Sequence, residues 1–210
     1  MTSVTTPQLA QQAFRRRLLD ALAESIVEIG YRNTTVADIV RRARTSRRTF
    51  YEHFAGKEEC FVALLKDANA DMIREITAAV DPGADWMTQV RQAVEAWIAC
   101  AESTPGIVVS WIRDVPALGM SGRELQRDMM AAFVDMVQSL SQSDEWRAVR
   151  PGGVSRQLTI LLLGGLRELI ATTVEEGGRA SDITEVAVHA TMALLAPPEA
   201  LSLPSSPAPE

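Results

Sequence analysis

Apolar residues in this chain recur every three or four positions almost from end to end, and no stretch alternates with the period and turn chemistry of strands. That rhythm confines the chain to an all-α fold. Phe14, Leu18, Leu22, Ile26 and Ile29 mark one face of a first helix, which Gly30 stops. Thr35 precedes a second face of Val36, Ile39, Val40 and Ala43, and Asp38 three residues on completes a capping-box start. After Arg44-Thr45, Ser46 caps a third, short helix whose buried side is Phe50 and Phe54. Lys57-Glu58-Glu59 opens a fourth over residues 57–80, ended by Asp81-Pro82-Gly83. Further helices are predicted over 84–101, just after Pro105, and over 121–141 with Ser121 and Glu124 as a second capping box. Two more follow the Pro151-Gly152-Gly153 break, over 154–176 and 182–195, which makes about nine in all.

The two ends read differently. Residues 1–12 are uncharged and rich in Gln and Thr, and the last fourteen hold five prolines without periodicity. A disordered arm over 1–12 and a disordered Pro-rich tail over 197–210 are expected. Residues 1–12 lack the basic-then-apolar pattern of a leader, and the uninterrupted apolar run near 160–166 is far short of the roughly 20 residues of a membrane span. A cytoplasmic protein with no membrane partner is the expectation. Cys60 and Cys100 stand in no spaced pattern and are expected as reduced thiols.

A net charge of −6 argues against nucleic acid until it is divided along the chain. Residues 13–60 carry ten Arg/Lys against seven Asp/Glu, a net of +3, whereas 61–210 carry a net of −9. A basic head on an acidic body is the distribution expected when only the head meets phosphate. The head is also where three short helices, the second and third joined tightly, form a helix-turn-helix over residues 13–56. In its third helix Phe50 and Phe54 anchor one face, leaving Arg47, Arg48, Thr49, Tyr51 and His53 around the rest. Arg meets a guanine edge bidentately, Thr a thymine methyl or phosphate, and Tyr and His phosphate oxygens. Thr35 and Lys57 open the second and fourth helices, whose free N–H groups favour phosphate. The competing reading makes Arg47 and Arg48 plain surface charge, Tyr51 half-buried packing and His53 a solvated helix end.

The stretch from Gly30-Tyr31-Arg32-Asn33-Thr34-Thr35-Val36-Ala37-Asp38-Ile39, through Ala43-Arg44-Thr45-Ser46-Arg47-Arg48-Thr49-Phe50-Tyr51-Glu52-His53-Phe54, to Lys57-Glu58-Glu59 closely resembles the DNA-binding signature of TetR-family regulators. It departs from that signature at Arg44-Thr45, where the family usually has Gly and Val, so Arg44 is expected in a left-handed conformation. The resemblance implies that Thr35, Arg47, Arg48, Thr49, Tyr51, His53 and Lys57 touch DNA. Arg47 and Arg48 are expected to read bases, and Thr35, Tyr51, His53 and Lys57 to hold phosphates.

Residues 57–196 are then expected to form a ligand-binding and dimerisation domain. Over 154–176, Leu158, Leu161, Leu162, Gly165 and Leu169 share one face, and Ile160, Leu163, Gly164, Leu166 and Ile170 fill much of the other. A helix apolar all round is buried on both sides. The first of these faces, with Val186 and Ala190 of the next helix, is expected to build a four-helix interface with a second copy, as the resemblance implies; an ordinary monomer core is the alternative. Trp97, Trp111, Met129 and Phe133 are the candidate ligand-binding residues, because Trp and Met suit an adaptable apolar cavity. Core packing is the competing reading for each.

An enzyme reading finds no support. Of the two histidines, His53 lies in the third helix and His189 near the interface, neither at metal-ligand spacing from Cys, Asp or Glu. No metal or cofactor is expected. The expected function is that of a DNA-binding repressor, dimeric on a palindromic operator and released by a small-molecule effector. A helical small-molecule binder without operator binding is the alternative.

Overall fold

The computed structural model describes residues 6–196, and side chains from residue 11 onward. Among the described residues there are ten α-helices, two short 3-10 turns and no strand. α1 (Thr6–Ile29) begins well before residue 13, so most of the expected arm is helical: Pro7 falls in the first turn, where its missing N–H costs nothing, and Gln, Leu and Ala sustain the helix after it. Residues 1–5 of that arm, and the expected tail over 197–210, lie outside the described residues. α1 buries Leu18, Leu19, Leu22 and Ile26, while the ends of its predicted stripe, Phe14 and Ile29, stay exposed. It stops at Gly30, whose φ of +78° is open to a residue without Cβ.

α2 (Val36–Arg42), α3 (Arg47–His53) and α4 (Lys57–Ala79) follow, then α5 (Trp86–Ser103) and α6 (Pro105–Arg113). A 3-10 turn over Val115–Leu118 leads into α7 (Gly119–Leu140). The capping box expected at Ser121 and Glu124 does not form, because α7 starts two residues earlier. The Ser121 hydroxyl instead donates to the Leu118 carbonyl and to Glu58. α8 (Asp144–Val149) was not expected; Ser143 caps it by accepting the Trp146 N–H. α9 (Arg156–Glu175), capped by Ser155, and α10 (Thr184–Leu195) complete the chain, with a 3-10 turn over Ala180–Ile183 between them.

The helices divide into two compact units. The first comprises the described residues up to Asp71 and Ser103–Met129; the second comprises Met72–Glu102 and the described residues from Met130 onward. The first thus extends beyond residues 13–56 and includes α6 and the start of α7. Its core runs through Leu18, Leu22, Ile39, Phe50, Phe61, Leu65, Val115 and Leu125, all nearly without exposure. α7 passes close over the preceding turn, where a Cβ on Gly122 would stand 2.2 Å from the Val115 carbonyl oxygen, so only glycine fits. α4 and α7 are continuous between the two units.

Candidate nucleic-acid interface and apolar cavity

The turn between α2 and α3 is closed by backbone geometry that the sequence makes unusual. Thr45 N–H donates to the Val40 carbonyl at 2.9 Å and Arg44 N–H to the Arg41 carbonyl at 3.2 Å. This Schellman-like closure requires one left-handed residue. Arg44 takes that place with φ +50°, the only positive φ of a non-glycine residue among those described, as its position in the motif predicts. Arg17 of α1 donates from Nη2 to the Ala43 carbonyl and, at 3.4 Å, to that of Arg44, which satisfies oxygens a helix end leaves free. α2 is fixed at its other end by the predicted box: Thr35 accepts the Asp38 N–H, and Asp38 accepts from the Thr35 N–H and hydroxyl. These bonds hold the Asp38 carboxyl below its usual range.

α3 then projects from the first unit as a short rod. Ser46 caps it by accepting the Thr49 N–H at 3.0 Å, and its hydroxyl pairs with that of Thr49. Phe50 and Phe54, with ring centroids 5.8 Å apart, are both buried and root the rod in the core. Arg47 and Arg48 are exposed; the Arg48 side chain retains 90% of its accessible surface and reaches only Glu52 on its own helix, at 3.2 Å. Tyr51 is exposed and meets Phe50 edge-on, Thr49 is half-buried, and His53 is half-buried against Phe54. Five of the predicted residues therefore share one short helix outside the core, and Thr35 stands exposed at the start of α2.

Lys57 is placed otherwise. Its ammonium turns inward and donates to the carbonyls of Tyr31 at 2.9 Å and Thr34 at 2.8 Å, 4.3 Å above the Tyr31 ring. Burial lowers its pKa from the usual lysine value and pushes the Tyr31 phenol up to about 12. The start of α4 holds a carboxylate of its own, since Glu59 accepts the Ala55 N–H at 2.6 Å. Lys57 thus secures the loop between α1 and α2 instead of presenting a charge outward. Arg44, expected from the sequence for its conformation and not for a DNA contact, adds an exposed cation at the turn.

The second unit holds an apolar cavity of about 90 Å³, partly open to solvent. Trp97 and Phe133, two of the candidate ligand-binding residues, line it beside Ile76, Val94, Trp146 and Leu166. Trp111 and Met129 do not: both pack against the core of the first unit, and helical spacing carries no information about which of two cores a residue joins. Three polar residues reach the cavity wall, and each is already bonded. Gln89 accepts the Trp146 Nε1–H at 3.0 Å and donates to the Ala84 carbonyl at 2.7 Å. Thr191 donates to the Ala187 carbonyl on its own helix, and Ser141, just past the end of α7, donates to the Gln138 carbonyl. The interior offers a guest dispersion and little else.

α9 presents two unlike faces. Leu162, predicted on the outer one, is buried and lines the cavity with Leu163 and Leu166, because 162, 166 and 170 form the inward row. Leu161 is 62% exposed and Val186 of α10 is 60% exposed, with Gly165 and Ala190 also exposed and Leu158 and Leu169 half-buried. A Cβ at Gly164 or Gly165 would meet nothing within 4 Å. α9 is long and apolar enough to cross a membrane by length and composition alone, with mean hydropathy 1.3, and its inner row is packed in the second unit.

A family model described as bacterial regulatory proteins, tetR family, matches residues 18–64. The HTH-type transcriptional regulator YxbF of Bacillus subtilis is 28% identical over 95 residues, 45% of this chain but only 24% of that protein. The HTH-type transcriptional repressor Rv1474c of Mycobacterium tuberculosis is 27% identical over 177 residues, 82% of this chain and 89% of its own length. In fold, the chain is similar to the transcriptional regulator FadR from Bacillus subtilis, solved in complex with stearoyl-CoA. The TM-score is 0.71 at 16% identity, covering 86% of this chain and 97% of that one.

Proposed function

We propose that this chain, a TetR-family protein, is a cytoplasmic, sequence-specific transcriptional regulator that holds a palindromic operator as a homodimer and releases it when a small molecule occupies its cavity. The observation that carries this reading is the rod of α3, rooted by Phe50 and Phe54 with Arg47, Arg48 and Tyr51 left on the exposed side. A helix of this kind enters the major groove, where Arg reads guanine edges while Thr35, Thr49, Tyr51 and His53 settle the register on phosphates.

One rod binds weakly alone. Two half-sites about 34–36 Å apart need two rods. The outer faces of α9 and α10, apolar and carrying Leu161, Gly165, Val186 and Ala190, are suited to a second copy of themselves across a two-fold axis. The covering of Leu161 and Val186 supplies the hydrophobic gain, and the glycine pair lets the helices approach.

The cavity supports an apolar or amphiphilic effector, in keeping with the fold's likeness to a regulator solved with stearoyl-CoA. At about 90 Å³ it is smaller than the roughly 150 Å³ that holds benzene in an engineered protein cavity, so a larger effector extends through its open side or widens it. Ile76 and Val80, at the end of α4, are in those walls, and α4 runs back to the helix-turn-helix. A coupling of about 1–3 kcal/mol along that helix weakens operator binding about 5–150-fold. Retardation of DNA from upstream of the coding region tests the reading. Preference for that DNA over a scrambled duplex, weakened by effector, is expected; equal affinity for both would leave only a helical small-molecule binder.

A further inference from the structure

What the cavity wall withholds from a guest narrows what the guest can be. None of the described residues lining it carries an ionisable side chain. Its three polar side chains keep their hydrogen bonds inside the protein. The Gln89 amide is engaged at both ends, Oε1 accepting from Trp146 Nε1–H at 3.0 Å and Nε2 donating to the Ala84 carbonyl at 2.7 Å. The Ser141 and Thr191 hydroxyls donate to the Gln138 and Ala187 carbonyls at 3.1 and 2.7 Å. A charge or an unpaired hydroxyl entering this space gives up its water shell and finds little in return.

The unit around it is no kinder to an anion. Over the described residues of the second unit, Asp and Glu outnumber Arg thirteen to seven and there is no Lys. Arg91 is held by Glu185 at 2.7 Å, Arg147 by Asp144 at 3.5 Å and Arg179 by Glu102, and Arg150 donates to the carbonyls of Leu195 and Ala196. A negatively charged headgroup therefore meets net repulsion on the way in. Trp97, Phe133 and Trp146 in the wall offer ring faces and edges instead, against which an apolar ring packs in the offset or edge-on geometry that aromatic groups favour.

We infer that the effector is an uncharged, apolar compound, a small ring or hydrocarbon, and that the cavity rejects carboxylic acids of the same size. A volume of about 90 Å³ suits a small ring better than a long chain. This inference rests on the cavity being the effector site.

The test uses the full-length protein and three para-substituted benzenes of one shape: p-xylene, p-cresol and p-toluate. Each competes with the neutral dye N-phenyl-1-naphthylamine, and each is added to the protein bound to DNA from upstream of its coding region. p-Xylene is expected to bind most tightly and to release the DNA. p-Cresol exchanges a methyl for a hydroxyl with no partner in the wall and is expected to bind about a hundred-fold more weakly. p-Toluate is expected neither to displace the dye at millimolar concentration nor to free the DNA. Ala93→Phe and Val137→Phe, which fill the cavity from α5 and α7, are each expected to lose p-xylene while keeping the wild-type circular dichroism. If p-toluate or p-cresol binds as tightly as p-xylene, and both filled variants lose it, the inference is overturned while the cavity remains the effector site. If no probe displaces the dye, if p-xylene binding survives in both filled variants, or if bound p-xylene leaves the DNA in place, the effector acts elsewhere. The regulatory reading of the cavity then falls together with the inference.

Discussion

Replacing Arg44 by glycine separates the two demands that meet at the turn. Arg44 holds φ +50° so that the Thr45 and Arg44 N–H groups can close the end of α2. The left-handed conformation costs a residue with a Cβ about 1–2 kcal/mol. Glycine removes that strain but returns about 0.5–1 kcal/mol through its freer unfolded chain. The net is a gain of about 0.5–1 kcal/mol, or roughly 1–4 °C in Tm for a chain of this size. The backbone carbonyls that Arg17 bonds remain in place. Arg44→Ala keeps the strain and loses the same side chain, so it serves as the control. Calorimetry is expected to rank Arg44→Gly above both Arg44→Ala and the wild type. In DNA titrations across salt, both variants are expected to lose the same increment, with the slope of log affinity against log salt shallower by about one. Equal stability of the Gly and Ala variants would refute the strain argument. Unchanged salt slopes would remove Arg44 from the DNA surface.

Phe50→Ala is expected to cost about 3–5 kcal/mol in chemical denaturation, since the ring is fully buried and the cavity left behind stays open. Arg17→Ala leaves the Ala43 carbonyl short of its partner and is expected to cost about 1–3 kcal/mol, measured the same way. Leu161→Asp with Val186→Asp places charge on the outer faces of α9 and α10, and sedimentation is expected to show monomers that keep their helical circular dichroism; a persisting dimer would move the interface elsewhere. Burial, aided by the Glu75 carboxylate that accepts its thiol proton at 2.9 Å, pushes Cys100 up to about 12. At pH 8 it stays protonated, so iodoacetamide is expected to modify it far more slowly than an ordinary thiol, with the rate rising toward pH 12.

How much of this could be read from the sequence depended on whether a signal was local. The α2–turn–α3 segment was fully legible, because its caps, Thr35 and Ser46, and its anchors, Phe50 and Phe54, lie within one or two turns of what they fix. The strain at Arg44 was legible for the same reason. α8 was not: six residues give no periodicity, and only Ser143 and the buried Trp146 mark it. Leu162 was assigned to the wrong face because a helix apolar all round does not say which row its neighbours will cover. Trp111 and Met129 joined the other core for a related reason, and the inward turn of Lys57 depends on carbonyls more than twenty residues earlier in the chain.

Everything proposed for the first unit turns on whether the guanidinium groups of α3 select a DNA sequence. The decisive measurement is affinity of the Arg47→Ala, Arg48→Ala double variant for the upstream operator and for a scrambled duplex at one fixed salt concentration, alongside its sedimentation and helical content. The expected result is an intact, folded dimer whose two affinities have become equal. A variant that still prefers its operator would show that sequence is read elsewhere, and α3 would lose its assigned role.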